Sequence, residues 1–140
     1  AGTGSVLNTT PVFTIFSGPV RSGAAPGVQL RGQASAWTTI SDKNAKENAV
    51  ELNHAETLAK VTSMPIYEYN FKGTPTDILY RGPYAQDWHE RFPSGKHNLS
   101  IDTVDLDGIT LSALKGLIAE VETLKARITV LESEKKSVQQ

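Results

Sequence analysis

The sequence has 140 residues, 39% of them hydrophobic and 21% charged, with a net charge of −1 and no cysteine. That suits one modest domain with extensions; it gives no electrostatic footprint for nucleic acid or an anionic membrane, and it removes disulfides, thiolate catalysis and cysteine-ligated zinc together. No apolar run approaches the roughly 20 residues of a membrane span, the first residues lack the basic and apolar regions of a signal peptide, and a start at Ala1-Gly2-Thr3-Gly4 reads as an excised C-terminal fragment of something longer.

Val12-Phe13-Thr14-Ile15-Phe16, bounded by Pro11 and Ser17-Gly18-Pro19, is a short β-prone run, and Gly27-Val28-Gln29-Leu30-Arg31-Gly32 is a second with two-residue alternation. So many small residues with so few large apolar ones cannot bury enough surface in a monomer, and such strands become stable when several chains wrap around one axis. Residues 1–40 therefore read as the last segment of a multi-chain, β-rich shaft or tip, with a linker of no fixed structure as the alternative.

Trp37-Thr38-Thr39-Ile40 leads into Ser41-Asp42-Lys43-Asn44-Ala45-Lys46-Glu47-Asn48, where strand-forming sequence gives way to helix-forming sequence. A serine with a lysine five residues on can supply a nucleophile and its base without histidine, since a neutral lysine accepts the serine proton. On one continuous helix, residues five apart point about 140° away from each other. Ser41 and Lys46 meet only if Ser41 lies just outside the helix and Lys46 folds back. The plainer reading, favoured by spacing alone, makes Ser41 or Asp42 an N-cap and leaves Lys43 and Lys46 as solvated charges.

Asn53 to Val61 carries a capping-box-like pair, Asn53 and Glu56, with apolar Ala55, Leu58, Ala59 and Val61, and predicts a short amphipathic helix that Pro65 limits. Ile66 to Lys72 alternates as a half-buried strand, with Tyr67, Tyr69 and Phe71 on one face. Gly73 to Thr76 is a turn, and Asp77 to Arg81 the antiparallel partner. Gly82-Pro83 breaks that strand. Ala85 to Phe92 is a short helix with Trp88 and Phe92 toward the core and Gln86, Asp87, His89 and Glu90 facing water or a neighbouring subunit. His54, His89 and His97 lack metal-ligand spacing. Asp102, Asp105 and Asp107 before Gly108 suggest calcium, but the EF-hand register puts Thr103 first and Leu114 where the closing glutamate belongs, so residues 101–108 read as a turn that starts the final helix. No metal and no cofactor are expected.

In the final helix Leu114, Val121, Ile128 and Lys135 fall at heptad position a and Leu117, Leu124, Leu131 and Val138 at d, a seam of roughly 25 residues or about 37 Å that needs partners. In a parallel arrangement Glu120 faces Lys125 of the next chain and Arg127 faces Glu132. Taken alone, β-branched residues at a with leucine at d lean toward dimers.

Four stretches, in order, carry a resemblance: Ser41 to Asn48, Met64-Pro65-Ile66-Tyr67-Glu68-Tyr69-Asn70-Phe71-Lys72, Gly82-Pro83-Tyr84-Ala85-Gln86-Asp87 and Val104-Asp105-Leu106-Asp107-Gly108, followed by the heptad helix. From about Trp37 to the C-terminus the chain resembles the intramolecular chaperone domain of phage tailspikes and tail fibres, the peptidase S74 family. The resemblance implies an α+β fold: a β-rich shaft segment (1–40), a small globular domain with helices and a short antiparallel sheet (41–108), and a parallel trimeric coiled coil (109–140) in place of a dimer. It implies a homotrimer that guides the folding of an upstream fibre shaft and, in many members, then cuts itself off. Here the scissile bond would be Ile40–Ser41, with Ser41 as nucleophile and Lys46 as base. At pH 7 only about one ordinary lysine in a few thousand is neutral, so such a site has to favour the neutral amine by burial or by nearby positive charge, which Lys43 could supply. Asp42 aimed at Lys46 would oppose this, and is expected to cap the helix instead.

The implied setting is a virion tail fibre or a bacterial cell-surface fibre folded in the producing cell, with a host-surface receptor for the parent fibre. Two alternatives stay open: a retained, non-cleaving trimerisation cap, and a fibre-tip adhesin in which exposed aromatics such as Tyr84 and Trp88 bind a glycan. No second catalytic constellation points to a separate substrate.

Overall fold

The computed structural model describes residues 11–16, 27–95 and 98–138. Ala1 to Gly4, Ser17-Gly18-Pro19 and His97 lie outside them. Among the described residues the chain is α+β, with two small antiparallel sheets, three α-helices and one single-turn 3-10 helix. It divides into two compact units, Ala1–Glu51 and Leu52–Gln140.

In the first unit β1 (Pro11–Phe16), β2 (Gly27–Arg31) and β3 (Thr38–Thr39) form an antiparallel sheet in that order, with Phe13 opposite Leu30 and Val28 opposite Thr39. The register slips between Pro11 and Phe13, where the imino acid has no N–H to give a ladder. The chain reverses after β2 through Gln33, whose φ of 65° is left-handed, with the Ala34 N–H donating to the Arg31 carbonyl at 3.1 Å. Phe13 and Trp37 meet edge to face at 6.0 Å, yet both stay more than half exposed. Among the described residues of this unit no second layer covers these aromatics.

In the second unit α1 (His54–Thr62) starts as its sequence predicts: Asn53 Oδ1 accepts from the Glu56 N–H at 3.1 Å, and Glu56 pairs with Lys60 one turn on, which holds the Glu56 carboxyl below its usual range. Both partners face solvent, so this pair contributes little stability. α2 (Ala85–Arg91) returns to the far end of α1, where Arg91 donates to the Ser63 carbonyl (3.0 Å) and to the Asp87 carbonyl (3.0 Å). A cation at a helix C-terminus satisfies carbonyls that have no partner within the helix.

α3 (Thr103–Val138) runs 36 residues, about 54 Å. It begins inside the expected turn of residues 101–108: Asp105, Asp107 and Gly108 are helical, with the Leu106 N–H donating to the Asp102 carbonyl at 3.0 Å. Asp105 in the first turn suits the positive end of the helix dipole, which explains why an acidic, turn-like sequence continues as helix. α1 packs against α3 at Ser112, Ala113 and Gly116, all buried, and His54 Nδ1 hydrogen-bonds Ser112 Oγ at 2.9 Å. The buried core is small: Met64, Trp88 and Ala113, with Thr57 and Ser112 as polar members.

The second sheet is shorter than its alternation predicts. β4 is Tyr67–Tyr69 and β5 is Tyr80–Gly82, so the expected strands 66–72 and 77–81 contract, and Gly82 pairs with Tyr67 instead of breaking the strand. The cause is turn chemistry. The Phe71 carbonyl accepts from both the N–H (3.0 Å) and the hydroxyl (2.7 Å) of Thr74, and a second turn closes from the Ile78 N–H to the Pro75 carbonyl at 3.2 Å. Backbone groups engaged in these turns cannot form a ladder. Tyr67 stacks on Tyr84 at 4.3 Å, and Tyr69 neighbours Phe71 and Tyr80. Trp88 lies against Phe92 at 5.1 Å and is only 3% exposed, which removes it as an exposed glycan-binding aromatic.

Two expectations follow. A Cβ at position 116 would run into the His54 carbonyl group and lie 3.1 Å from Leu58 Cβ, whereas one at position 108 meets nothing within 4 Å. Thermal unfolding should therefore show Gly116→Ala destabilised by about 1–3 kcal/mol and Gly108→Ala stabilised by about 0.5–1 kcal/mol; equal effects would mean that the helices do not approach this closely. The Tyr67 phenol is held above its ordinary value by loss of solvent, and then by the Asp87 carboxylate and by Tyr84. A raised phenol stabilises the fold below the ordinary tyrosine range and loses that contribution as pH rises through the raised value. Ultraviolet titration should show this tyrosine ionising above the ordinary tyrosine range, and earlier in Asp87→Asn.

Candidate functional site

The segment after β3 is built by short-range hydrogen bonds. β3 ends as the Ile40 N–H donates to the Gly27 carbonyl at 2.9 Å, so Ile40 is tied to the sheet one residue before Ser41. Asp42 is extended (φ −69°, ψ 129°), and residues Lys43–Ala45 make a single 3-10 turn closed by Ala45 N–H to the Asp42 carbonyl (3.1 Å) and Lys46 N–H to the Lys43 carbonyl (3.1 Å). The Asp42 carboxylate caps that turn: Oδ1 accepts from the Asn44 N–H at 2.9 Å and from Asn44 Nδ2 at 3.1 Å. The expected capping role of Asp42 is met, on a 3-10 turn in place of an α-helix. At Lys46 the backbone is extended again (φ −115°, ψ 145°), and at Asn48 it turns through a left-handed φ of 54°, which asparagine tolerates.

The consequence is a contact that a continuous helix forbids. Lys46 Nζ reaches back and donates to Ser41 Oγ at 2.6 Å. The two side chains are within proton-transfer reach. With the amine neutral, the bond reverses: the hydroxyl donates and the nitrogen accepts, the arrangement a serine nucleophile needs. Among the described residues Asp42 makes no ion pair with Lys46, since its carboxylate is turned to Asn44. Ser41, Lys46 and all the residues between them are exposed in the single chain.

Sequence reasoning placed Ser41, Lys46 and Ile40 but missed Asn44 and Gly27. Asn44 was legible as Asp-x-Asn, a spacing at which an aspartate side chain takes the backbone N–H two residues on. Gly27 carried no local signal, because its partner is thirteen residues away and is chosen by strand register.

The heptad residues lie in the other unit, on α3. Leu114, Leu117, Val121, Leu124, Ile128 and Leu131 are all exposed, from 39% at Val121 to 60% at Leu131. α1 covers a different side of α3, centred on Ser112 and Gly116, roughly 100° or more around the helix. Leu111 and Ile118, one position beyond d, are exposed too and widen the apolar stripe. Among the described residues no group of three or more acidic or histidine side chains could hold a metal, and no helix is long and apolar enough to cross a membrane.

No curated protein matches the chain. The family profile of Peptidase S74, described as chaperone of endosialidase, matches residues 41–95, which begin at the serine of the close pair and end just after α2. Residues 41–95, which carry Ser41 and Lys46 side by side at their start, are similar to the Peptidase S74 family, described as chaperone of endosialidase.

Proposed function

We propose that this chain is the C-terminal intramolecular chaperone of a fibre or tailspike protein: it trimerises through α3, guides the folding of the shaft upstream, and cuts the Ile40–Ser41 bond. The observation that carries the cleavage reading is the 2.6 Å contact between Lys46 Nζ and Ser41 Oγ. Ser41 Oγ attacks the Ile40 carbonyl carbon as its proton passes to neutral Lys46. The C–N bond to Ser41 breaks, and its nitrogen leaves as an amine carrying the proton that Lys46 returns. The product ester joins Ile40 to Ser41 Oγ, and water hydrolyses it to the Ile40 carboxylate and the free hydroxyl.

The trimer reading rests on the uncovered apolar stripe. Leu111 and Ile118 make it wider than a two-stranded seam, and a wider stripe faces two neighbours in place of one. In the single chain Lys125 turns to Glu122 of its own helix at 2.8 Å. In a parallel assembly it faces Glu120 of the next copy. The coil raises local concentration, residues 41–108 set the register, and the shaft zips from that end. Once cut, the shaft cannot unfold by the route through which it folded, so its protection is kinetic.

A second reading is favoured by one observation: Ser41 and Lys46 are exposed in the single chain, where water stabilises an ammonium. On this reading the domain is a retained trimerisation cap of a fibre adhesin, bound to the parent fibre and not released. The parent fibre, on a virion tail or a bacterial surface, would carry any receptor contact.

A denaturing intact-mass series on freshly made full chain separates the two. Self-cleavage gives two fragments meeting at Ile40–Ser41, absent from Ser41→Ala and Lys46→Ala; a single persistent mass in a trimeric sample leaves the cap. Sedimentation equilibrium at micromolar concentration should give a trimer that Leu124→Asp with Ile128→Asp reduces to monomer, while a monomeric parent chain would sink the trimer.

A further inference from the structure

The contact between Lys46 and Ser41 needs an agent that bends the chain between them. Five residues of extended chain separate their ends by about 17 Å, and five residues of α-helix aim the side chains apart. What lies between is one 3-10 turn of three residues, all exposed, with two backbone hydrogen bonds. A single exposed turn of this kind is not stable by itself, because it fixes several dihedrals for each bond it forms. Two more bonds run to one atom, Asp42 Oδ1, from the backbone and side-chain nitrogens of Asn44.

We infer that Asp42 is a positioning residue for the Ser41–Lys46 pair, acting as the cap of the 43–45 turn and not through its charge. This rests on the self-cleavage reading for its consequence but not for its geometry. An aspartate paired with Lys46 would favour the ammonium and disable the base; an aspartate held by Asn44 bends the chain and leaves the amine for the serine. The residue next to the nucleophile thus sets the geometry through a hydrogen bond that asparagine or serine could also accept.

The test compares substitutions of equal charge. Asp42→Ala removes charge and cap, whereas Asp42→Asn and Asp42→Ser remove charge and keep a cap. In the full chain, with Ser41→Ala as blank, Asp42→Ala should slow the appearance of the two fragments about three- to thirtyfold. Asp42→Asn and Asp42→Ser should recover most of that loss, with the pH midpoint of the rate the same in all three. Cleavage by Asp42→Ala at the parent rate overturns the inference, as do Asn and Ser variants as slow as alanine or with a displaced midpoint.

If the parent chain is never cut, the self-cleavage reading fails by itself and the geometry is read another way. The protein has no cysteine, so Ser41→Cys introduces a unique thiol whose alkylation by iodoacetamide is faster when an ammonium lies beside it. In that background Asp42→Asn should be alkylated at least about threefold faster than Asp42→Ala, with Lys46→Met as the floor. Equal rates for the two overturn the inference even in an uncut protein.

Discussion

The close approach of α1 to α3 at Gly116 decides what the rest of the second unit can do. With no side chain at 116, the first turn of α1 comes down onto α3, and His54 and Ser112 close the contact with a hydrogen bond. The far end of α1 is held by Arg91, which satisfies the Ser63 carbonyl from α2. Two short helices are thereby fixed on one side of a long one, and the core they enclose is only a few side chains deep. Because α1 occupies the side at 112 and 116, the side carrying Leu114, Val121 and Ile128 is left uncovered in the single chain.

Both units share a deficit of self-covering. The sheet of the first unit leaves Phe13, Ile15 and Trp37 about half exposed, and α3 leaves its entire heptad stripe so. Scattered surface leucines are ordinary, but a stripe of this length on a regular period is the mark of a surface meant to be covered. The polar network is otherwise satisfied: among the described residues no buried side-chain nitrogen or oxygen lacks a partner. What the single chain lacks is apolar contact, which further copies can supply without disturbing any hydrogen bond already made.

Features set by neighbours in sequence were legible, and features set by competition between local motifs were not. Asn53 with Glu56 announced the start of α1, and the 3,4 repeat announced the long helix, because both signals are complete within a few turns. The alternation from Ile66 to Lys72 promised a longer strand than exists, since Thr74 captures the Phe71 carbonyl before the ladder can extend. The acidic residues before Gly108 read as a turn and proved to be the first turns of a helix, where carboxylates favour the positive end of the dipole. For Ser41 and Lys46, spacing alone argued against contact. Their meeting was legible only through the family resemblance, because the bend rests on Asp42 and Asn44, whose Asx geometry is a weaker signal than helix periodicity.

The site separates two requirements that catalytic pairs usually meet together. Geometry is local: six consecutive residues and four hydrogen bonds bring nitrogen to oxygen without help from any other part of the fold. Environment is not local, because nothing within those residues shelters the amine from water. A neutral lysine is reached by removing solvent or adding positive charge, and on the proposed function it is the gathering of further copies that would supply them. On the proposed function the nucleophile is therefore assembled early and switched on late. A partly folded monomer would hold the serine and lysine together yet keep the ammonium, and would be spared from cutting away its guide before the shaft had formed.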